Sequence, residues 1–203
     1  MGWEIWVLII ELVVIIDLMF YTLYTGISPV PTTPRVRATM LAAAPVKISG
    51  SILELGSGWG SLAFSLARKY PQQQIHAYEL SRLPWFFSRL RHLLQPLPNL
   101  HFHRQDYRKA SFSGAMLVFC YLFPKGMQVL RQKFERELLS GCQVISNTFA
   151  IEEWNPAQVC VSDDQYASKV FRYLLTSAMT RPSASAADSS DSGQRPACEN
   201  LLG

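Results

Sequence analysis

Three glycines and three carboxylates hold most of the chemical potential of this 203-residue chain. Ile52-Leu53-Glu54-Leu55 is an apolar run broken by one acid, and Gly56-Ser57-Gly58-Trp59-Gly60 follows it before a helical apolar pattern opens. Glycine takes left-handed dihedrals and lets a ligand lie against bare main chain, so the pattern predicts a strand, a tight turn and a helix whose N-terminus faces a ligand. Glu54 at the strand end accepts hydrogen bonds from an ammonium group, which suits a ligand with an amino-acid end better than an anionic pyrophosphate. The spacing also departs from the dinucleotide fingerprint G-x-G-x-x-G, because position 61 is Ser. Glu79 closes a second apolar run, 74–79, where an acid takes ribose hydroxyls. Asp106 follows the run 99–105 and is placed to accept an adenine amino group. For both, the plainer alternative is an exposed loop acid.

The elements that must position these residues follow from periodicity. Strands are expected at 51–56, 74–79, 100–104, 115–121 and 142–148, with helices at 60–70, 83–94 and 126–139 between them. The run 115–121 is wholly apolar, as in a central parallel strand. Ser81 is the expected cap of the second of these helices, with Pro84 in its first turn. Thr33 and Pro34 open a shorter helix ending near 41–44. Residues 157–162 and 168–176 form a hairpin around Ser162-Asp163-Asp164-Gln165. Strand, helix, strand in alternation, with each acid just past a strand end, is an α/β arrangement: a Rossmann-like doubly wound sheet of about seven strands with an N-terminal hydrophobic anchor helix.

The form (D/E)-x-G-x-G-x-G resembles motif I of the class I S-adenosylmethionine (AdoMet)-dependent methyltransferases, with Glu54 in the acidic place. A closer resemblance is to small membrane-anchored relatives of the mitochondrial lysine methyltransferases of adenine nucleotide translocase and ATP synthase subunit c. It rests on the N-terminal apolar helix, Val30-Pro31-Thr32, the L-x-L-G-S-G-x-G turn at 53–60, Tyr78-Glu79-Leu80, Met127-Gln128-Val129-Leu130, Phe134-Glu135-Arg136-Glu137-Leu138 and Trp154. Trp59 stands where this turn often has Asp, and Ser-Pro-Val-Pro where Pro-Tyr-Val-Pro is common. The resemblance implies an AdoMet cofactor held by Glu54, Gly56, Ser57, Gly58, Gly60, Glu79 and Asp106. It implies no acceptor and no catalytic base. Methyltransferases of adenine, cytosine or glutamine often carry Asn/Asp-Pro-Pro-Tyr/Phe after strand four; here Cys120-Tyr121-Leu122-Phe123-Pro124 stands instead. Tyr121 and Phe123 are candidates to line an acceptor channel and Trp154 to wall it; the alternative is that all three are core or lid aromatics. Residues 29–33 are a candidate lid.

The domains expected are 1–24, a membrane anchor helix; 25–46, linker and leading helix; 47–178, the methyltransferase domain; and 179–203, a disordered Ser-, Ala- and Asp-rich tail. Residues 3–24 are apolar enough and, at roughly 33 Å, long enough to cross a hydrocarbon core, whereas Glu11 and Asp17 each oppose insertion by about 2.5–3.5 kcal/mol if charged at mid-bilayer. Pairing with another helix offsets that cost, so a helix–helix oligomer is one expectation; the alternative to a membrane anchor is an amphipathic helix lying in the interface or docked on the domain. Residues 1–30 carry net −3 and no base, while 31–110 carry net +8. The positive-inside rule then places the catalytic domain on the cytoplasmic face, by a single-pass or peripheral attachment. The basic block suits anionic headgroups better than nucleic acid, since its bases are scattered and no RNA-binding motif accompanies them; the plainest alternative is an ordinary solvated face. No metal is expected: the four histidines and four cysteines have no ligand spacing, and Cys120 and Cys142 read as core residues.

Three functions compete: methylation of a protein lysine or another membrane-proximal acceptor, methylation of a lipid-soluble small molecule, and a non-catalytic Rossmann-like binding protein tethered to the membrane.

Overall fold

The computed structural model describes residues 2–25 and 32–179. The linker over 26–31, most of the candidate lid and the tail from 180 lie outside the described residues. Helix α1 spans Trp3–Thr25 and α2 Pro34–Ala43; then come β1 Ser51–Leu55, α3 Ser61–Lys69, β2 Ile75–Glu79, α4 Arg82–Leu94 and β3 Leu100–Arg104. A short 3₁₀ turn at Tyr107–Lys109 precedes β4 Ala115–Cys120, α5 Pro124–Glu137, β5 Gln143–Asn147, β6 Gln158–Val161 and β7 Lys169–Leu174. The strands form one seven-stranded sheet in the order β3-β2-β1-β4-β5-β7-β6. Two compact units divide the chain, one from Met1–Thr32 and Glu54–Ala110, the other from Thr33–Leu53 and Ser111–Gly203.

In the first unit β2 pairs parallel with β3, Ile75 opposite Leu100 and Glu79 opposite Arg104. Leu62, Ala63, Phe64, Leu66 and Ala67 give α3 its buried face. Asn99, itself buried, sets its amide within 3.1 Å of the Ala67, Tyr70 and Gln73 carbonyls, satisfying the orphan acceptors at the end of α3. His76, His101 and His103 cluster on β2 and β3, with His76 Nδ1 3.1 Å from His103 Nε2. Among the described residues, no group of three or more His, Cys, Asp or Glu is arranged to hold a metal.

In the second unit β4 pairs parallel with β5, and β5–β7 and β6–β7 are antiparallel, so the expected hairpin closes the sheet. Asp164 ties its loop by accepting from the Ser168 amide and hydroxyl, both at 2.8 Å. Thr33 caps α2 by accepting from the Val36 amide at 3.3 Å, with Pro34 in the first turn as expected. Helix α5 starts two residues earlier than expected, because Pro124 occupies its first turn, where a missing N–H costs nothing. Ser81 sits at the cap of α4 without a side-chain capping bond; its backbone N–H is instead held by Glu79 at 2.7 Å.

Candidate functional site

Five of the seven cofactor residues expected from the sequence lie in the turn and strand end at Glu54–Gly60, all in the first unit. The amides of Gly56 and Ser57 both donate to the Tyr78 carbonyl at 2.9 Å, and Gly60 donates to Ser57 at 2.9 Å. Gly56, Gly58 and Gly60 have φ of 77°, 52° and 76°, the left-handed region that favours glycine. They are not equivalent. A Cβ on Gly58 would meet nothing within 4 Å, so that position borders open space. A Cβ on Gly60 would come within 2.9 Å of Ser88 Oγ and 3.0 Å of the Phe102 ring, so Gly60 is there for packing.

Glu79 shapes the turn directly. Oε2 accepts from the Gly58 amide and Oε1 from the Ser81 amide, each at 2.7 Å. A carboxylate has about four lone-pair sites, so two remain open to a ligand. Glu54 is buried at the end of β1, and its Oε2 has no hydrogen-bond partner among the described residues. Burial pushes its carboxyl well above the ordinary 4.5 and the charge of Glu79 adds to that, against a backbone hydrogen bond from Ala63. Ser57 Oγ is likewise buried and unpartnered among the described residues. An orphaned acceptor, an orphaned hydroxyl and a glycine opening onto space are what an ammonium-bearing nucleotide would satisfy, so these residues fit AdoMet.

The pH dependence follows. A carboxyl raised in the folded state contributes stability that is fully present below about 4.5, its ordinary value, and is lost as pH rises through the folded value. An ammonium beside Glu54 favours the ionised form, so donor binding expels a proton and tightens as pH rises through that window. Glu54→Gln is expected to raise the melting temperature of the donor-free protein at neutral pH. It should also weaken AdoMet and abolish the buffer-dependent proton release seen by titration calorimetry. A variant that still releases a proton on binding would place the linkage elsewhere.

Asp106 is engaged differently from the expectation. Arg108 grips its carboxylate, Nη2 to Oδ2 at 2.6 Å and Nε to Oδ1 at 2.9 Å, and the Arg108 amide donates to it as well. Burial would raise this carboxyl, but the Arg108 hydrogen bonds and charge outweigh it and hold it below its usual range. An adenine amino group would have to share these oxygens. Sequence reasoning missed Ser88, whose buried Oγ lies 3.0 Å from the Gly58 carbonyl and 2.9 Å from that of Pro84. A serine inside the apolar pattern of α4 was the available signal.

The acceptor candidates lie in the second unit. Tyr121 and Phe123 follow β4, and both rings contact Phe149, at 6.2 and 5.5 Å between centroids. Phe149 was not foreseen; Thr148 before it has φ 65°, an outlier for a β-branched residue. Trp154, a candidate channel wall or core aromatic, sits among core residues. It is buried against Phe134 and Tyr173, and its indole N–H donates to Glu135 at 3.2 Å. Trp154→Ala is therefore expected to lower stability by about 3–5 kcal/mol, read as a shifted denaturation midpoint, with Trp154→Phe costing far less.

A parallel sheet ending in an antiparallel strand pair, with this glycine turn at its first strand, defines a class I AdoMet-dependent methyltransferase. A solved RNA methyltransferase from Salinibacter ruber in complex with S-adenosyl-L-homocysteine is 27% identical with a TM-score of 0.66, covering 73% of this chain and 95% of that one. Residues 54–158 match the ANTKMT methyltransferase domain, and the chain belongs to that family. Of curated relatives, a protein-lysine N-methyltransferase of Saccharolobus islandicus is 26% identical over 153 residues, 72% of this chain and 92% of that protein. The adenine nucleotide translocase lysine N-methyltransferase of Mus musculus is 30% identical over 113 residues; the match covers 54% of this chain and 48% of the mouse protein.

Proposed function

We propose that the chain is a membrane-anchored AdoMet-dependent methyltransferase whose acceptor is a protein lysine near the membrane surface. The family match over 54–158 carries this reading, because the relatives from Saccharolobus and mouse are both named for lysine methylation. Support for the anchor comes from α1, a helix long and apolar enough to cross a membrane by length and composition.

AdoMet supplies a methyl group already activated on a sulfonium. What remains for the chain is binding, orientation and exclusion of water. In this reading the Gly56–Gly60 turn gives close main-chain approach, Glu54 takes the ammonium, Glu79 the ribose and Asp106 the adenine edge. The lysine must lose its proton before it attacks, and desolvation on docking would lower its pKa.

The test is transfer of a tritiated methyl group by the full chain in native membranes. The label is then sought on a protein gel, on a lipid plate and in the RNA fraction. Alkali-stable label on protein, recovered as methyl-lysine, supports the reading. Label in lipid favours a lipid-soluble small molecule, and label in RNA would place this chain with the activity named for its Salinibacter neighbour.

A further inference from the structure

We infer that the outward face of α4 is a second membrane contact, embedded in the headgroup region of an anionic leaflet beside α1. The inference rests on the reading of α1 as an anchor and adds a site to it. Helix α4 turns Pro84 and Ser88 inward and leaves Phe86, Phe87, Leu90, Leu93 and Leu94 exposed, the last two by 79% and 74%. Arg82 and Arg89 are exposed on the same stripe and form no ion pair among the described residues. An apolar surface flanked by unpaired cations is the composition of an interfacial helix. Each well-placed base near an anionic surface adds attraction.

Continuity with α1 selects a bilayer as the occupant. Helix α1 packs against α4 within the same unit. Its half-buried positions, Val14, Asp17, Leu18, Tyr21 and Thr22, repeat at helical spacing and form one face. That arrangement takes Asp17 out of the lipid-facing side, which removes one of the two acids that opposed insertion. The remaining sides of α1 stay exposed and, apart from Glu4 and Glu11, apolar, from Trp3 and Trp6 to Phe20. With α1 packed on α4, an anchored α1 would bring the exposed Leu93 and Leu94 toward the same leaflet. An RNA strand would stack on aromatic rings, whereas much of this face is aliphatic.

The experiment places an environment-sensitive fluorescent amino acid at Leu93 in the full-length chain. Matched chains carry it at Ile10 of α1 and at Val129 of α5, and all are reconstituted with phosphatidylcholine–phosphatidylserine vesicles whose acyl chains bear bromine. Blue-shifted, bromine-quenched emission at positions 93 and 10, with unquenched emission at 129, is the result expected. Loss of the position 93 signal is expected when Arg82 and Arg89 are both changed to Gln or when phosphatidylserine is omitted. Quenching at position 10 without any at 93 overturns the α4 contact and leaves the anchor intact. Quenching at neither position overturns the anchor as well. A response at 93 to single-stranded RNA but not to vesicles reassigns the face to nucleic acid and overturns the inference.

Discussion

Gly58→Val is expected to abolish AdoMet binding and leave a folded protein, whereas Gly60→Val is expected to destabilise the domain by about 2–5 kcal/mol. The two glycines share a left-handed backbone, at φ 52° and 76°, so each valine bears roughly 1–2 kcal/mol of conformational strain. They differ in what a side chain meets. At position 58 no heavy atom lies within 4 Å of the added Cβ, so the methyl groups project into the space assigned to the donor. The main-chain bonds of Gly58, from its amide to Glu79 and at its carbonyl to Ser88, survive the change. At position 60 the Cβ strikes Ser88 Oγ and the Phe102 ring. Phe102 is itself packed against Phe64 and His92, so it has little room to yield. Overpacking of that kind adds about 1–3 kcal/mol to the strain, a large share of a single domain's stability. Thermal melts beside calorimetric titration separate the two effects. Wild-type AdoMet affinity in Gly58→Val would place the donor elsewhere.

Glu79→Ala should weaken AdoMet by about 100-fold or more. Two ribose hydroxyls bonded to this carboxylate would contribute roughly 1.5–3 kcal/mol each, and losing both exceeds the roughly 2.7 kcal/mol of two decades in affinity, while the turn itself also loses its bonds at Gly58 and Ser81. Glu79→Gln does little better, because one end of the amide would face the amides of Gly58 or Ser81 with a donor of its own. The same substitution leaves the burial that chiefly raises the Glu54 carboxyl but removes the charge that adds to it, so proton release on binding should shrink without vanishing. Titration calorimetry in buffers of different ionisation enthalpy reads both effects. An affinity within about threefold of wild type would mean that ribose and turn are held by other groups.

Much of the fold was legible because its strands are buried runs punctuated by glycine and proline. Strand β3 falls on its expected residues, and β1, β2, β4 and β5 within one residue of theirs at either end. The antiparallel pairing of β6 and β7 followed from polar residues between two apolar runs. Less legible were features set by tertiary neighbours. Phe102 alternates along β3 like any core residue, and only the crossing of that strand by the turn makes it the floor under Gly60. Asp106 carries the right type at the right place, yet Arg108 two residues on occupies its carboxylate. Trp154 reads equally as a channel wall or a core aromatic, and it is Glu135 and Tyr173, far from it in sequence, that draw it into the interior. Phe149 follows a residue with an unusual backbone, which no propensity argument anticipates.

The most direct measurement is a crystal structure of the full chain with S-adenosyl-L-homocysteine. The amino group of the ligand is expected within hydrogen-bond distance of Glu54 Oε2, its ribose hydroxyls on Glu79, and its backbone contact at Gly58. A ligand bound away from the Gly56–Gly60 turn, with the Glu54 carboxylate still unpaired, would contradict that placement.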